Sequence, residues 1–285
     1  MTRGPTAAEL LRVGARDLES AGRADVDTPR LDAEVLLRRV LDQSREALLV
    51  RLDQTVSCAA AAQYRALLVR RSRGEPVAYL TGRKEFYGLS LRVGPEVLVP
   101  RPETEILVEA AIGRVPYGSI VVDVGTGSGA IAVALAANRQ DVRVVATDRS
   151  ARALAVARSN ARGHGLDARV GFIECDLAAA LGSHVAVVLA NLPYIPTGDL
   201  GGLPPTVVDF EPRLALDGGR DGLDVYRGLL DQLRLYHRGI TLLCFEIGAG
   251  QERPMRDEIA HRWPDATVDV LPDLRGIPRV VLAKL

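Results

Sequence analysis

At 285 residues the chain is long enough for one large or two modest domains, each with a proper core. Its 47% hydrophobic and 25% charged residues are ordinary for a soluble globular enzyme. Lys plus Arg and Asp plus Glu both total 36, and this zero net charge weighs against a protein that grips many nucleic-acid phosphates. Cys58, Cys175 and Cys244 are odd in number and lack CxxC pairing, which fits a reducing compartment. His164, His184, His237 and His261 have no metal-ligand spacing, so no metal is expected. The N-terminus, with Arg3, Glu9, Arg12 and Arg16, does not read as a secretory signal. No apolar run approaches the roughly 20 residues that span a bilayer, so a cytoplasmic protein without membrane association is expected.

Residues 1–75 read as helix. Leu10, Leu11, Leu18, Leu31, Val35, Leu36, Val40 and Leu41 recur at three- and four-residue spacings, a stripe that reads as core. Asp27-Thr28-Pro29 marks a helix start, and a pattern over Ala59–Arg73 stops at Gly74-Glu75-Pro76. Over 76–100, glycines at 82, 88 and 94 and the run Leu89-Ser90-Leu91-Arg92-Val93 predict a β-hairpin linker. From 101 to 285 strand-like and helix-like segments alternate. Apolar runs end at Val122, Thr147, Ile173, Ala190 and Glu246, with a last short strand over Arg279–Ala283. Such alternation predicts an α/β domain whose parallel sheet is covered by helices on both faces.

Three motifs carry chemistry. Val121-Val122-Asp123-Val124 runs into Gly125-Thr126-Gly127-Ser128-Gly129-Ala130, where glycines let the backbone turn and approach a ligand. Alone, this turn fits a nicotinamide dinucleotide as well as S-adenosylmethionine. Asp123 before it favours a cationic sulfonium over a pyrophosphate. The second motif, Val144-Val145-Ala146-Thr147-Asp148, ends a strand on an acid able to accept bonds from ribose hydroxyls. An exposed strand-end aspartate is the plain alternative for Asp148, and Asp176, at the end of the next strand, is a weaker candidate for the adenine amino group.

The third motif is Val187-Val188-Leu189-Ala190-Asn191-Leu192-Pro193-Tyr194. A planar amide or amino nitrogen is a poor nucleophile because its lone pair is delocalised. The Asn191 carbonyl and the Leu192 main-chain carbonyl can accept its two N–H groups, aiming the lone pair at a methyl group. Tyr194 offers a face for the flat group. The motif alone leaves the acceptor open between an amide and adenine.

The chain resembles the PrmC/HemK protein-(glutamine-N5) methyltransferases. The resemblance rests on Gly74–Gly82 with Glu85–Leu89, on Val99–Glu105, and on Phe210–Gly219 with Asp221–Leu223. It is completed by Phe245–Gly248 with Gln251 and by Asp273–Gly276. It implies a Rossmann-like class I methyltransferase with a mostly parallel seven-stranded sheet, a small N-terminal helical domain that binds the release factor, and a hairpin connector. S-adenosylmethionine is then expected at Gly125, Thr126, Gly127, Ser128, Gly129, Asp148, Asp176, Leu177 and Asn191. Asn191, Leu192, Pro193 and Tyr194 are expected to hold the glutamine of the GGQ motif of class-1 peptide chain release factors. The family motif is usually Asn-Pro-Pro-Tyr. Leu192 departs from it, in a form familiar from ribosomal RNA adenine dimethyltransferases, and lacks the fixed φ of proline. An adenine-N6 methyltransferase and a non-catalytic binding module are the rival classes. No stable nucleic-acid binding and a monomer are expected, and the loop 196–209 is expected to border the acceptor site.

Overall fold

A computed structural model describes residues 4–21, 27–182, 185–236 and 239–285; Arg3, His184 and His237 lie outside them. The chain divides into two units, Met1–Arg83 with Gly202–Phe210, and Lys84–Gly201 with Glu211–Leu285. The first carries α1 (Ala7–Ser20), α2 (Pro29–Leu41), α3 (Arg45–Val50), α4 (Cys58–Ser72) and α5 (Val77–Thr81). A capping box opens α1: the Glu9 N–H donates to Thr6 Oγ1 at 3.2 Å, and the Thr6 N–H to the Glu9 carboxylate at 2.8 Å. Thr28 precedes α2 and Pro29 sits in its first turn, as the Asp27-Thr28-Pro29 signal implies.

Leu10, Leu18, Leu36, Leu48, Tyr64 and Leu68 form the core of this unit. Leu31, expected in the apolar stripe, is 47% exposed, because α2 turns Asp32, Ala33, Leu36 and Leu37 inward. The buried Asp32 accepts from Arg71 Nε at 2.8 Å, so neither charge is stranded. Within the stretch 76–100, residues Val77–Thr81 are helical rather than part of a hairpin. Pro76 interrupts the helix before it but starts the next, since the first helical turn needs no N–H there.

The second unit begins with the hairpin β1 (Arg83–Phe86) and β2 (Leu89–Arg92). There follow α6 (Thr104–Arg114), β3 (Ile120–Val124), α7 (Ala130–Asn138), β4 (Arg143–Asp148), α8 (Ala151–Gly163), β5 (Val170–Glu174) and β6 (Val187–Ala190). The segment expected as an open loop over 196–209 holds a 3-10 turn, Thr197–Gly202, and α9 (Pro205–Val208); from Gly202 to Phe210 it belongs with the helical unit. The sheet unit ends with α10 (Asp224–Tyr236), β7 (Leu242–Glu246), α11 (Glu252–Arg262), β8 (Thr267–Pro272) and β9 (Pro278–Lys284).

Seven strands pair in the order β5-β4-β3-β6-β7-β9-β8. β5 to β7 run parallel, whereas β9 is antiparallel to both β7 and β8. Alternate side chains of each strand serve opposite cores: Val187, Leu189, Leu242 and Cys244 face one, Val188, Ala190, Leu243 and Phe245 the other. α7 is buried from Ala130 to Ala136, which explains a helix apolar on every side. No helix among the described residues is long and apolar enough to cross a membrane.

Candidate active site

The strand order reverses between β3 and β6, the place where open α/β sheets bind ligands at their carboxyl ends. Val124 pairs with Ala190 and with Thr147, so Gly125, Asn191 and Asp148 leave the sheet side by side. A cavity of about 450 Å³ opens there, lined by Gly125, Thr126, Gly127, Ser128, Asp148, Asp176, Leu177, Asn191, Leu192 and Pro193.

Gly125 has φ +70, and a Cβ on it would stand 2.7 Å from Leu192 Cδ2, so the first turn and the third motif touch at this point. The Gly127 N–H donates to one oxygen of Asp148 at 2.9 Å and the Ser150 N–H to the other at 2.8 Å. Burial nevertheless lifts the Asp148 carboxyl above its ordinary range. Asn160 of α8 donates from Nδ2 to the Ser128 carbonyl at 2.8 Å and to the Arg92 carbonyl at 2.9 Å, and accepts from the Arg92 N–H at 2.7 Å. Leu177 stands at φ +52, an uncommon conformation for a leucine, with its carbonyl accepting from Thr147 Oγ1 at 2.9 Å.

Two expected residues are placed differently. Gly129 does not line the cavity; it begins α7 at φ +80 with Ala157 packed against it. Tyr194 is half-buried and also off the lining. Asp123, read as favouring a cationic ligand, is 0% exposed and accepts from Thr126 Oγ1 at 2.5 Å and from the Ala132 N–H at 3.2 Å. Its work is to brace the turn from inside, and burial pushes its carboxyl up to about 7.

The segment after β6 is tied down at Asn191, Leu192, Tyr194 and Ile195. Asn191 Nδ2 donates to Thr104 Oγ1 at 3.0 Å, and the Leu192 N–H to the Tyr226 hydroxyl at 3.1 Å. That hydroxyl lies against the Glu246 carbonyl. Gln251 donates from Nε2 to the Tyr194 carbonyl at 2.9 Å and accepts from the Gly248 N–H at 2.8 Å. Ile195 bridges to Asp217, donating to the Leu216 carbonyl at 3.1 Å and accepting from the Gly218 N–H at 2.8 Å. At Gly222, with φ +83, a methyl group would collide with the Tyr194 carbonyl. The Phe210–Gly219 and Asp221–Leu223 motifs thus serve to hold the Asn191 segment.

Sequence reasoning assigned no role to Thr104, Tyr226, Asn160 or Gln251, nor to the wall residues Leu98, Arg101, Pro212, Leu214 and Val225. Thr104 and Gln251 fell within quoted motifs, and that was the available signal. The lining carries five carboxylates, Glu96, Asp148, Asp176, Asp217 and Asp224, against two guanidiniums, Arg101 and Arg149. This acid excess suits a methyl donor whose sulfonium and ammonium outweigh one carboxylate, and it repels a dinucleotide pyrophosphate.

With the seven-stranded sheet, that cavity defines a class I methyltransferase, whose cofactor is S-adenosylmethionine. Residues 9–82 match the PrmC N-terminal domain and residues 102–199 the methyltransferase small domain. The release factor glutamine methyltransferase of Moorella thermoacetica is 44% identical, covering 98% of this chain and 98% of its own. That of Burkholderia pseudomallei is 46% identical over 88% and 86%. The chain belongs to the release factor glutamine methyltransferase family, PrmC/HemK. Among solved structures, the catalytic domain of hMettl16 in complex with MAT2A 3'UTR hairpin 6 is similar in fold, with TM-score 0.56, 19% identity, and coverage of 80% and 82%.

Proposed function

We propose that this protein transfers a methyl group from S-adenosylmethionine to the N5 amide nitrogen of the GGQ-motif glutamine in class-1 peptide chain release factors, modulating translation termination. The observation that carries this reading is the pinned Asn191 segment, with Nδ2 of Asn191 already engaged by Thr104 at 3.0 Å. The Asn191 oxygen and the Leu192 carbonyl are assigned the two N–H bonds of the glutamine carboxamide. Held so, the nitrogen presents its lone pair and is favoured as it becomes pyramidal. When bound, the cofactor supplies an activated methyl on a sulfonium. With the methyl supplied there, the carboxamide nitrogen held by Asn191 and Leu192 would gain it and give up one N–H proton to solvent.

Gly125, Thr126, Gly127, Ser128 and Gly129 are assigned to the cofactor as its turn, Asp148 to its ribose, and Asp176 and Leu177 to its adenine, with Asn191 touching donor and acceptor alike. Pro193 stiffens the loop, and Tyr194 is assigned the stacking face for the carboxamide. The helical unit is assigned a part in gripping the release factor, in a monomeric, cytoplasmic enzyme that forms no stable complex with nucleic acid or membrane.

The test is incubation with labelled cofactor and either unmethylated release factor or RNA. Label on the GGQ glutamine is expected, and label in RNA alone would overturn the reading. Asn191→Ala is expected to abolish transfer while largely sparing cofactor binding; unchanged turnover would refute its role.

A further inference from the structure

Glycine weakens a helix interior, because it gives up more backbone freedom on folding than any other residue. Gly228 nevertheless stands inside α10, four residues after its first, Asp224. It borders the cavity together with Asp176, Leu177 and Val225. A Cβ on Gly228 would stand 3.3 Å from Leu177 Cδ1, inside the roughly 3.5–4.0 Å at which carbon atoms attract one another. A Cβ rides on its helix and cannot swing away, so the Leu177 side chain would have to give.

The main chain around Leu177 is not free to make that adjustment. Leu177 stands at φ +52, and its carbonyl accepts from Thr147 Oγ1 at 2.9 Å and from Cys175 Sγ at 3.4 Å. The next N–H, of the buried Ala178, donates to Gln232 Oε1 at 2.8 Å. Gln232 follows Gly228 by four residues, so one face of α10 both grips this turn and leaves the gap beside it. The Leu177 side chain itself packs against the core that holds Val188, Ala190 and Leu229. With α10 on one side and that core on another, the direction left to it is the cavity.

We propose that Gly228 is a specificity-determining residue of the cofactor site: its missing side chain keeps Leu177 back and leaves the room that the adenine takes. This rests on the assignment of Leu177 to the adenine. A methyl group at 228 would turn the Leu177 side chain into the space of the base, while the glycine turn and Asp148, on other strand ends, keep their form. The helix is thus weaker here than alanine would make it, and what it leaves is room for a flat purine. The effect falls on the nucleoside end of a ligand and not on its amino-acid end.

The test is calorimetric titration of the full chain with S-adenosylhomocysteine and with methylthioadenosine, which share the adenosine but not the amino-acid end. Gly228→Ala is expected to raise the Kd of both by the same factor, about tenfold, as for a packed site forced to take one more methyl. Its Tm should hold or rise, since alanine suits the helix better. Leu177→Ala removes the side chain that has to yield, so adding Gly228→Ala in that background should change either Kd by less than about twofold. An unaltered Kd in Gly228→Ala, a loss confined to S-adenosylhomocysteine, a Tm that falls along with the affinity, or an equal loss with and without Leu177 would overturn the proposal. If Leu177→Ala alone leaves both Kd values unchanged, the adenine assignment fails and the proposal with it. Weaker binding in Leu177→Ala beside normal binding in Gly228→Ala would leave that assignment standing and sink the role of Gly228 alone.

Discussion

The main-chain N–H of Leu192 donates to the hydroxyl of Tyr226 at 3.1 Å, and a proline at 192 would have no N–H to give. Leucine thus exchanges a fixed φ for a tether, and its side chain fills the space beside Gly125. Tyr226→Phe strands the buried N–H, which costs about 1–3 kcal/mol, and it loosens the loop. Urea denaturation and turnover should both fall. Adding Leu192→Pro removes the stranded donor, so the double variant should recover part of the stability. Equal losses in the single and double variants would count against the tether.

Asp148 holds the glycine turn through the Gly127 and Ser150 N–H groups while facing the cavity. Asp148→Ala should raise the Kd for S-adenosylmethionine about ten- to hundredfold, the span expected for one charged hydrogen bond of about 1.5–3 kcal/mol. Calorimetric titration measures it. An unaltered Kd would remove Asp148 from the cofactor site.

Gly222 passes against the Tyr194 carbonyl in a left-handed conformation that a side chain resists. Gly222→Ala should displace the loop it presses on, lowering Tm by several degrees, about 2–4 °C for each kcal/mol lost. Turnover should fall further than Tm, because Tyr194 adjoins Asn191. A variant with normal Tm and normal turnover would show that the close approach is dispensable.

Asp123 and Glu246 give the stability a defined pH dependence. Burial raises each carboxyl to about 7, so between the ordinary carboxylate range of about 4 and that value the folded state holds protons that the unfolded chain releases. Their contribution is full at the acid end of this window and is lost as pH rises through about 7. Asp221, held down to about 2 by Arg227, changes only below the window. Asp123→Asn keeps an acceptor for Thr126 and Ala132 but cannot ionise. Its unfolding free energy in urea should fall less between about pH 5 and about pH 8 than that of the wild type. Equal slopes would show that Asp123 is not the titrating group.

The sheet was legible where strands are buried on both faces, because a continuous apolar run such as Val187–Ala190 has few other homes. β8 escaped notice: Thr267–Pro272 is half-exposed at the sheet edge, and its alternation ends on a proline. α5 was hidden by the stop signal Gly74-Glu75-Pro76, which also begins it. In the site, Gly125 and Asn191 could be found because each follows its strand directly. Thr104, Asn160 and Gln251 could not be assigned. They act through side-chain hydrogen bonds to segments far away in the chain, and no local pattern encodes such a partner.

β9 is the last strand of the sheet in chain order, yet it lies inside the sheet between β7 and β8. During vectorial synthesis β7 can pair with β6, but its other edge and β8 emerge before the strand that pairs with both. Only when Pro278–Lys284 slides in does the ladder close, setting Phe245 against Val281 and Glu246 against Val280. The end of β7, where Glu246 is buried and its carbonyl meets the Tyr226 hydroxyl, is thus among the last parts of this unit to gain its final frame. A nascent chain carries the whole glycine turn and the whole Asn191 segment well before it has the strand that locks that edge.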